Sequence, residues 1–235
     1  MGIKERHERD RESVRRAILD AACELFVADG YQNVSIRKIA ERVEYSPAAI
    51  YSYFPSKDDI FFALAEEGFR LLHTTHNRYL DLDTLPPEAR IRTLFLSLYE
   101  FSVEHPEYFA LMFIDRHVPR ISREYERFAF AREMKTQLIV EVQRAIDAGV
   151  FSPGVHPYIA FRILSAAVIG VSLTRLSGRL APGENADDLI RDTLDVTVAG
   201  LRAGVTLVSK TDQCFLNEPE SEAFAAPASP QELGS

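Results

Sequence analysis

Apolar residues recur every three to four positions along most of the chain, and this period constrains the fold more than any other feature. The first example is the series Val14, Ile18, Ala21 and Leu25, which is the spacing of one face of an α-helix. Similar patterns follow, separated by short stretches that contain Gly or Pro. No convincing run alternates between apolar and polar residues as a half-buried strand does. The sequence therefore predicts an all-α protein.

The starts and ends of these patterns predict the helix bounds. Ser35, Ser46 and Ser56 precede helical patterns as hydroxyl N-caps, and Gly30 is suited to end the first helix. The predicted helices are residues 12–28, 36–43, 47–54, 57–77, 87–105, 106–115, 122–149, 157–176 and 186–203. Residues 208–235 are rich in Glu, Ser, Ala and Pro, which predicts a disordered tail.

The composition, 46% hydrophobic and 26% charged, is that of an ordinary globular protein. The longest uncharged apolar stretch, residues 163–174, is shorter than the roughly 18 to 20 residues of a membrane span. Residues 1–12 lack the apolar core of a signal peptide. We therefore expect a cytoplasmic protein with no membrane partner.

Cysteine and histidine positions predict neither a disulfide nor a metal site. Cys23 and Cys214 lie far apart in different contexts, so they do not form a redox or metal motif, and Cys23 is expected to be a packed thiol. His73 and His76 are three residues apart on one predicted helix, but no clear third ligand follows. We expect no cofactor and no metal.

Two short helices follow a long one near the N-terminus, with a tight turn between them. This arrangement is typical of a helix-turn-helix unit, whose second short helix enters the major groove of DNA. That second helix carries no charge, and its hydroxyls and methyl groups suit base edges and phosphates. The predicted DNA contacts are Ser35, Arg37, Lys38, Ser46, Ala48, Ala49, Tyr51, Ser52, Tyr53 and Lys57.

Ile50 and Phe54 are expected to anchor this second helix to the core. The alternative is that Tyr51 and Tyr53 are core aromatics and that the turn is an ordinary helix connection. The net charge of -8 argues against a protein that coats nucleic acid indiscriminately, but the charge is uneven, since residues 1–57 hold 10 Lys and Arg against 9 Asp and Glu. The sequence thus separates a near-neutral head, which begins with a basic arm (Arg6, Arg9 and Arg11), from an acidic body.

Residues 12–62 resemble the N-terminal domain of the TetR family of bacterial transcriptional regulators. The matching positions are Ile39, Ala40, Ser46, Ala48, Ile50, Tyr51, Tyr53, Phe54, Ser56 and Lys57. The turn departs from the family pattern, because Val43-Glu44-Tyr45 stands where Ala-Gly-Val is usual. Glu44 in a left-handed turn position costs about 1 kcal/mol relative to Gly.

The resemblance implies a three-helix helix-turn-helix domain in residues 1–56, with the basic arm, and a helical ligand-binding and dimerisation domain in residues 57–207. It implies a repressor that a small-molecule effector releases from a palindromic operator on double-stranded DNA. Aromatic and sulfur side chains of the body are the predicted effector contacts, and plain core packing is the alternative for each. They are Phe95, Tyr99, Phe109, Met112, Phe113, Tyr125 and Phe128.

The last two predicted helices are candidates for a homodimer interface, because they combine small residues with apolar ones. The small residues are Ser165, Ala166, Ala167 and Gly170, and the apolar ones are Ile163, Val168, Ile169, Leu194, Val198 and Leu201.

An enzyme and a helical adaptor are the two alternatives to a DNA-binding regulator. No catalytic or nucleotide-binding motif of the common kinds is present, so we do not expect an enzyme. A helical adaptor that keeps the fold but binds protein is the second alternative, since the recognition helix lacks cations.

Overall fold

A computed structural model of the chain describes residues 3–78, 84–115, 117–119 and 129–204. Within these ranges the chain forms nine α-helices and no strand, which confirms the predicted all-α fold. The helices are α1 (Ile3–Asp29), α2 (Ile36–Arg42), α3 (Pro47–Tyr51), α4 (Lys57–Asn77), α5 (Pro87–Glu104), α6 (Pro106–Phe113), α7 (Ala129–Asp147), α8 (Pro157–Leu176) and α9 (Ala186–Ala203). The predicted bounds of α4, α8 and α9 are confirmed. The predicted tail lies outside the described residues.

The head core joins α1, α2 and α3 to the first half of α4. We give this name to the cluster of buried side chains that includes Ile18, Phe26, Ile39, Ile50, Phe61 and Leu64. Leu111 of α6 also belongs to it, so the head core extends beyond the first four helices. Cys23 is a buried member, as expected, and burial raises the pKa of its thiol to about 12.

Two further clusters fill the body. The central cluster is formed by Leu72, Phe101, Phe109, Met112 and Met134. The rear cluster is formed by α5, α7, α8 and α9, and includes Phe95, Val142, Leu164, Val168 and Leu194. Since α4 supplies residues to both the head core and the central cluster, it physically connects the head to the body.

α1 begins nine residues earlier than predicted, at Ile3. Arg6, Arg9 and Arg11 therefore lie on α1 itself and not on a segment before it, and their contact with DNA stays a prediction. The predicted start of α1 relied on an apolar face, but every described side chain from residue 5 to residue 13 is exposed. A helix of this kind depends on contacts between charged neighbours rather than on a buried stripe.

α3 is shorter than predicted and ends at Tyr51. The backbone N–H groups of Tyr53 and Phe54 still donate to the carbonyl of Ile50, at 2.9 and 3.0 Å, so the chain turns tightly after the helix. Pro55 explains why Phe54 is not helical, because a proline disfavours the helical conformation of the residue before it.

α8 is long and apolar enough to cross a membrane by length and composition, with a mean hydropathy of 1.7 over its most apolar window. Core helices of soluble proteins pass the same test. α8 packs against α5, α7 and α9, and its buried residues Leu164, Val168 and Val171 belong to the rear cluster.

Candidate nucleic-acid interface

Two features hold α3 in place. At its start, Ser46 Oγ accepts a hydrogen bond from the N–H of Ala49 at 3.2 Å, and Pro47 occupies the first turn, where its missing N–H costs nothing. On its inner side, Ile50 and Phe54 are 0% and 4% exposed in the head core, which confirms them as anchors. A short helix capped and anchored in this way presents its other face in one orientation.

The outward face of α3 carries small polar and methyl-bearing side chains. Ser46, Ala48 and Ser52 are exposed, and Ala49 is half-buried. Tyr51 is 53% exposed, so it is not a core aromatic. Tyr53 differs, because it is half-buried against the head core and lies beneath Arg11, whose guanidinium carbon is 5.8 Å from the ring centroid.

The turn between α2 and α3 contains a residue in a strained backbone conformation. Glu44 has a φ of 58°, in the left-handed region that favours glycine. The next residue, Tyr45, is 45% exposed immediately before the N-cap of α3. Tyr45 is therefore an exposed side chain of this surface that is absent from the predicted DNA contacts, although it directly precedes Ser46 in the sequence.

Exposed ion pairs hold the cations of α2. Arg37 Nε lies 3.0 Å from Glu41 Oε1, and Lys38 Nζ lies 2.9 Å from Asp29 Oδ2. Pairs as exposed as these contribute only about 0 to 1 kcal/mol. A DNA phosphate can therefore replace the carboxylate at little cost. Ser35, the N-cap of α2, is exposed and accepts from the N–H of Lys38 at 3.2 Å.

Lys57 does not point outward as its predicted phosphate contact requires. Its ammonium donates to the carbonyls of Tyr31 and Val34, at 2.9 and 3.0 Å, and lies 4.0 Å from the centroid of the Tyr31 ring. Burial lowers the pKa of the Lys57 ammonium. The Tyr31 hydroxyl in turn donates to Asp58. Lys57 thus ties the turn after α1 to the start of α4.

Two links from the head to α6 have no signal in the sequence, because their partners are about 90 residues apart. Asp115, just after α6, accepts from the N–H of Tyr31 at 3.3 Å. Arg16 of α1 pairs with Glu67 of α4 and donates to the hydroxyl of Tyr108 on α6 at 3.3 Å.

The head matches a known family. A family model described as "Bacterial regulatory proteins, tetR family" matches residues 18–64. The nucleoid occlusion factor SlmA of Vibrio campbellii is 32% identical over 166 residues, which cover 66% of this chain and 78% of SlmA. The chain belongs to the TetR family.

Other relatives agree with this assignment. YuxN of Bacillus subtilis, an uncharacterised HTH-type transcriptional regulator, is 23% identical over 217 residues, which cover 90% of this TetR-family chain and 70% of YuxN. The structure of FadR from Bacillus subtilis in complex with stearoyl-CoA has the same fold, with a TM-score of 0.64 at 16% identity over 79% of this chain and 98% of FadR. This TetR-family protein is a DNA-binding transcriptional regulator and not an enzyme, as predicted.

The predicted effector contacts of this TetR-family protein do not form one group. Phe109 and Met112 are buried in the central cluster, with Phe113 packed against it. Phe95 and Tyr99 lie in the rear cluster instead, and the Tyr99 hydroxyl donates to Asp187 Oδ1 at 2.6 Å. Tyr125 and Phe128 lie outside the described residues.

Several apolar residues predicted for the dimer interface face the interior of their own subunit. Val168, Leu194, Val198 and Leu201 are at most 4% exposed in the rear cluster, so their predicted interface role is wrong. An apolar helical stripe shows that a face is buried, but not whether its own chain or a second copy covers it. The outward face of α8 and α9 carries Ala166, Gly170, Leu173 and Val196.

Proposed function

We propose that this protein is a cytoplasmic repressor that binds a palindromic operator as a homodimer and leaves it when a small-molecule effector binds the body. One observation carries the proposal: α3 is capped by Ser46, anchored by Ile50, and exposes Tyr51 and Ser52 to the outside. A short, uncharged and rigidly held helix suits the floor of the major groove.

Two copies are required to read a palindrome, and α8 with α9 offers a surface for pairing. Val196 is 74% exposed on α9. At Gly170 on α8, an added Cβ meets no atom within 4 Å, so a second helix can approach closely there. A two-fold axis through this surface makes the two α3 helices equivalent, and their separation then sets which half-site spacing fits.

Contacts between the head and the body supply a route by which an effector changes that separation. α4 belongs to the head core at Phe61 and to the central cluster at Leu72. Tyr108 of α6 and Asp115, just after α6, both form hydrogen bonds with the head. An effector that binds among these helices favours whichever arrangement it fits best. DNA is released if, in that arrangement, the distance between the two heads does not match the spacing of the two half-sites.

The central cluster is the part of the body that we propose for effector binding. It combines aromatic rings and the flexible thioethers of Met112 and Met134, which adapt readily to a bound molecule. FadR, which shares the fold, was solved with stearoyl-CoA. This supports an effector with a substantial apolar part.

The operator is found by selecting duplexes from a randomised pool with the full-length protein. The affinity for the selected duplex is then measured by fluorescence anisotropy. We expect a palindromic sequence and a loss of about tenfold or more in affinity for Tyr51→Ala, since one good base or phosphate contact is worth about 1 to 3 kcal/mol. Val140→Ala, an exposed residue of α7, is the matched control. A selected sequence without two-fold symmetry, or equal affinities for the two variants, contradicts the proposal.

A further inference from the structure

His76 is a buried polar side chain in the second half of α4. It is 8% exposed, and it follows Leu72 of the central cluster by one helical turn. Its Nε2 atom has no hydrogen-bond partner among the residues that the structure describes. Buried polar atoms of folded proteins are nearly always paired, so a buried nitrogen of this kind needs an explanation.

The neighbouring serine determines which ring nitrogen of His76 carries the proton. Ser97 Oγ lies within hydrogen-bond distance of His76 Nδ1 and also 2.7 Å from the carbonyl oxygen of Leu94. A hydroxyl has a single proton, and the carbonyl can only accept. Ser97 therefore donates to Leu94 and accepts from His76 Nδ1–H, which leaves the buried Nε2 with a lone pair that accepts no hydrogen bond from the described residues.

The imidazole is neutral at physiological pH. Burial, and secondarily the charge of His73, lower the pKa of His76 to about 4. Nε2 is thus a hydrogen-bond acceptor, and the ring offers no positive charge to an anion.

A second buried polar group lies on α8. Ser172 of α8 is 0% exposed, and its Oγ has no partner within the described part of the chain. It lies between Ile169 and Leu176, which both pack against the central cluster. At this spacing the three side chains share one face of α8. The central cluster therefore has an unpaired polar atom on α4 and another on α8.

We propose that the part of the effector that reaches His76 is uncharged and largely apolar, and that its hydroxyl or N–H group donates a hydrogen bond to His76 Nε2. This proposal rests on the effector site of the proposed function. Ser172 supplies a second hydrogen-bonding group at the α8 side. A carboxylate is disfavoured at His76, because its lone pairs would face the lone pair of Nε2 without any compensating charge.

The first experiment measures the His76 tautomer in the full-length protein, by two-bond 1H–15N correlation NMR of the histidine rings at neutral pH. We expect a neutral ring with the proton on Nδ1. In Ser97→Ala, which removes the acceptor, we expect this preference to weaken. A proton on Nε2, or a charged ring, overturns the proposal without reference to any ligand.

The second experiment compares three small probes that share a phenyl ring. Phenol has an O–H donor, anisole has the oxygen without the donor, and benzoate is an anion at neutral pH. We expect phenol to shift the His76 Nε2 signal and to bind about tenfold more tightly than anisole, as one hydrogen bond to a buried acceptor permits. Benzoate should bind most weakly. Equal binding of phenol and anisole, no binding of phenol, or tighter binding of benzoate overturns the proposal.

Variants separate this inference from the proposed function. His76→Phe should bind phenol no better than anisole, whereas His73→Phe, on the same helix, should keep the preference for phenol. His73→Phe should keep the wild-type affinity for the selected operator duplex, because His73 lies outside the head. If wild type selects no operator, the proposed function fails. If operator binding is retained and the phenol preference is absent, only the inference about His76 fails.

Discussion

The two ends of α4 are built differently. At its start, Ser56 Oγ accepts from the N–H of Asp59 at 3.1 Å, and Lys57 donates to two carbonyls of the preceding turn. Near its end, His76 is buried with Nε2 unpaired among the described residues. The polar groups named at the start of α4 are therefore hydrogen-bonded, whereas the buried acceptor near its end, His76 Nε2, has no partner among the described residues.

This difference bears on how a regulator divides its tasks. The head must present α3 in one geometry, so its contacts contribute to a single stable arrangement. The body must respond to a molecule, so its polar groups gain from a partner that arrives from outside. Removing contacts at the first end should mainly change stability, whereas changes at the second end should mainly alter the response to pH and ligand.

The largest expected effect is on the head core. Phe61 is 0% exposed, and its ring centroid lies 5.7 Å from that of Tyr31. Phe61→Ala should lower the free energy of unfolding by about 3 to 5 kcal/mol, because it leaves a cavity in a closed core. Urea denaturation followed by circular dichroism measures this. Phe62→Ala, at the half-buried next position, is the control, and an equal loss in both would contradict a specific role for Phe61.

The second prediction concerns pH and the other end of α4. Burial, with a smaller contribution from the charge of His73, lowers the pKa of His76 to about 4, against about 6.5 in an unfolded chain. Between pH 6.5 and 4 the unfolded chain binds a proton at His76 and the folded chain does not. The free energy of unfolding therefore has its full value above pH 6.5 and decreases as the pH falls from 6.5 towards 4. The total decrease is roughly 3 kcal/mol. We expect the free energy of unfolding of His76→Gln to fall less steeply than that of wild type over this range.

The pH effect is measured as the difference between wild type and His76→Gln, referred to its value at about pH 8. Common losses from other groups cancel in this difference. If the free energies of unfolding of the two proteins change in parallel with pH, His76 is readily protonated in the folded state. The end of α4 would then hold no buried, neutral acceptor, and its two ends would not differ as described.

Lys57 and Arg37 provide the third prediction, because both are head cations with different surroundings. Lys57→Met removes two charge-assisted hydrogen bonds and should lower the free energy of unfolding by about 2 kcal/mol. It should leave the salt dependence of operator binding unchanged. Arg37→Gln, at an exposed pair, should change stability by less than about 0.5 kcal/mol and should reduce the slope of log affinity against log salt by about 1.8, which is about 0.9 for each subunit of the dimer. The reverse pattern would restore Lys57 as a phosphate contact.

Short-range features of this fold could be predicted from the sequence. The Ser46 cap and the whole of α8 depend on neighbours within one or two helical turns, and each was predicted correctly. The start of α1 could not be predicted, because an exposed charged helix has no apolar stripe.

Features that depend on distant partners could not be predicted. Lys57 contacts a turn more than 20 residues earlier, and no local pattern indicates that its ammonium turns inward. Leu194 lies on an apolar stripe of α9, but the sequence does not indicate whether this stripe packs inside its own subunit or against a second copy. The unpaired Nε2 of His76 is visible only when α4 and α5 are placed side by side.

The smallest expected effect tests a strained position in the head. Glu44 has a φ of 58°, and Glu44→Gly should raise the free energy of unfolding by about 0.5 to 1 kcal/mol. Glycine adopts this conformation without a clash of its side chain, although its unfolded chain is more flexible. The midpoint of urea denaturation should rise with an unchanged slope. Glu44→Ala keeps a Cβ atom but removes the carboxylate, so it should show no such gain. If both variants gain equally, the carboxylate was unfavourable and the backbone of this turn is not strained.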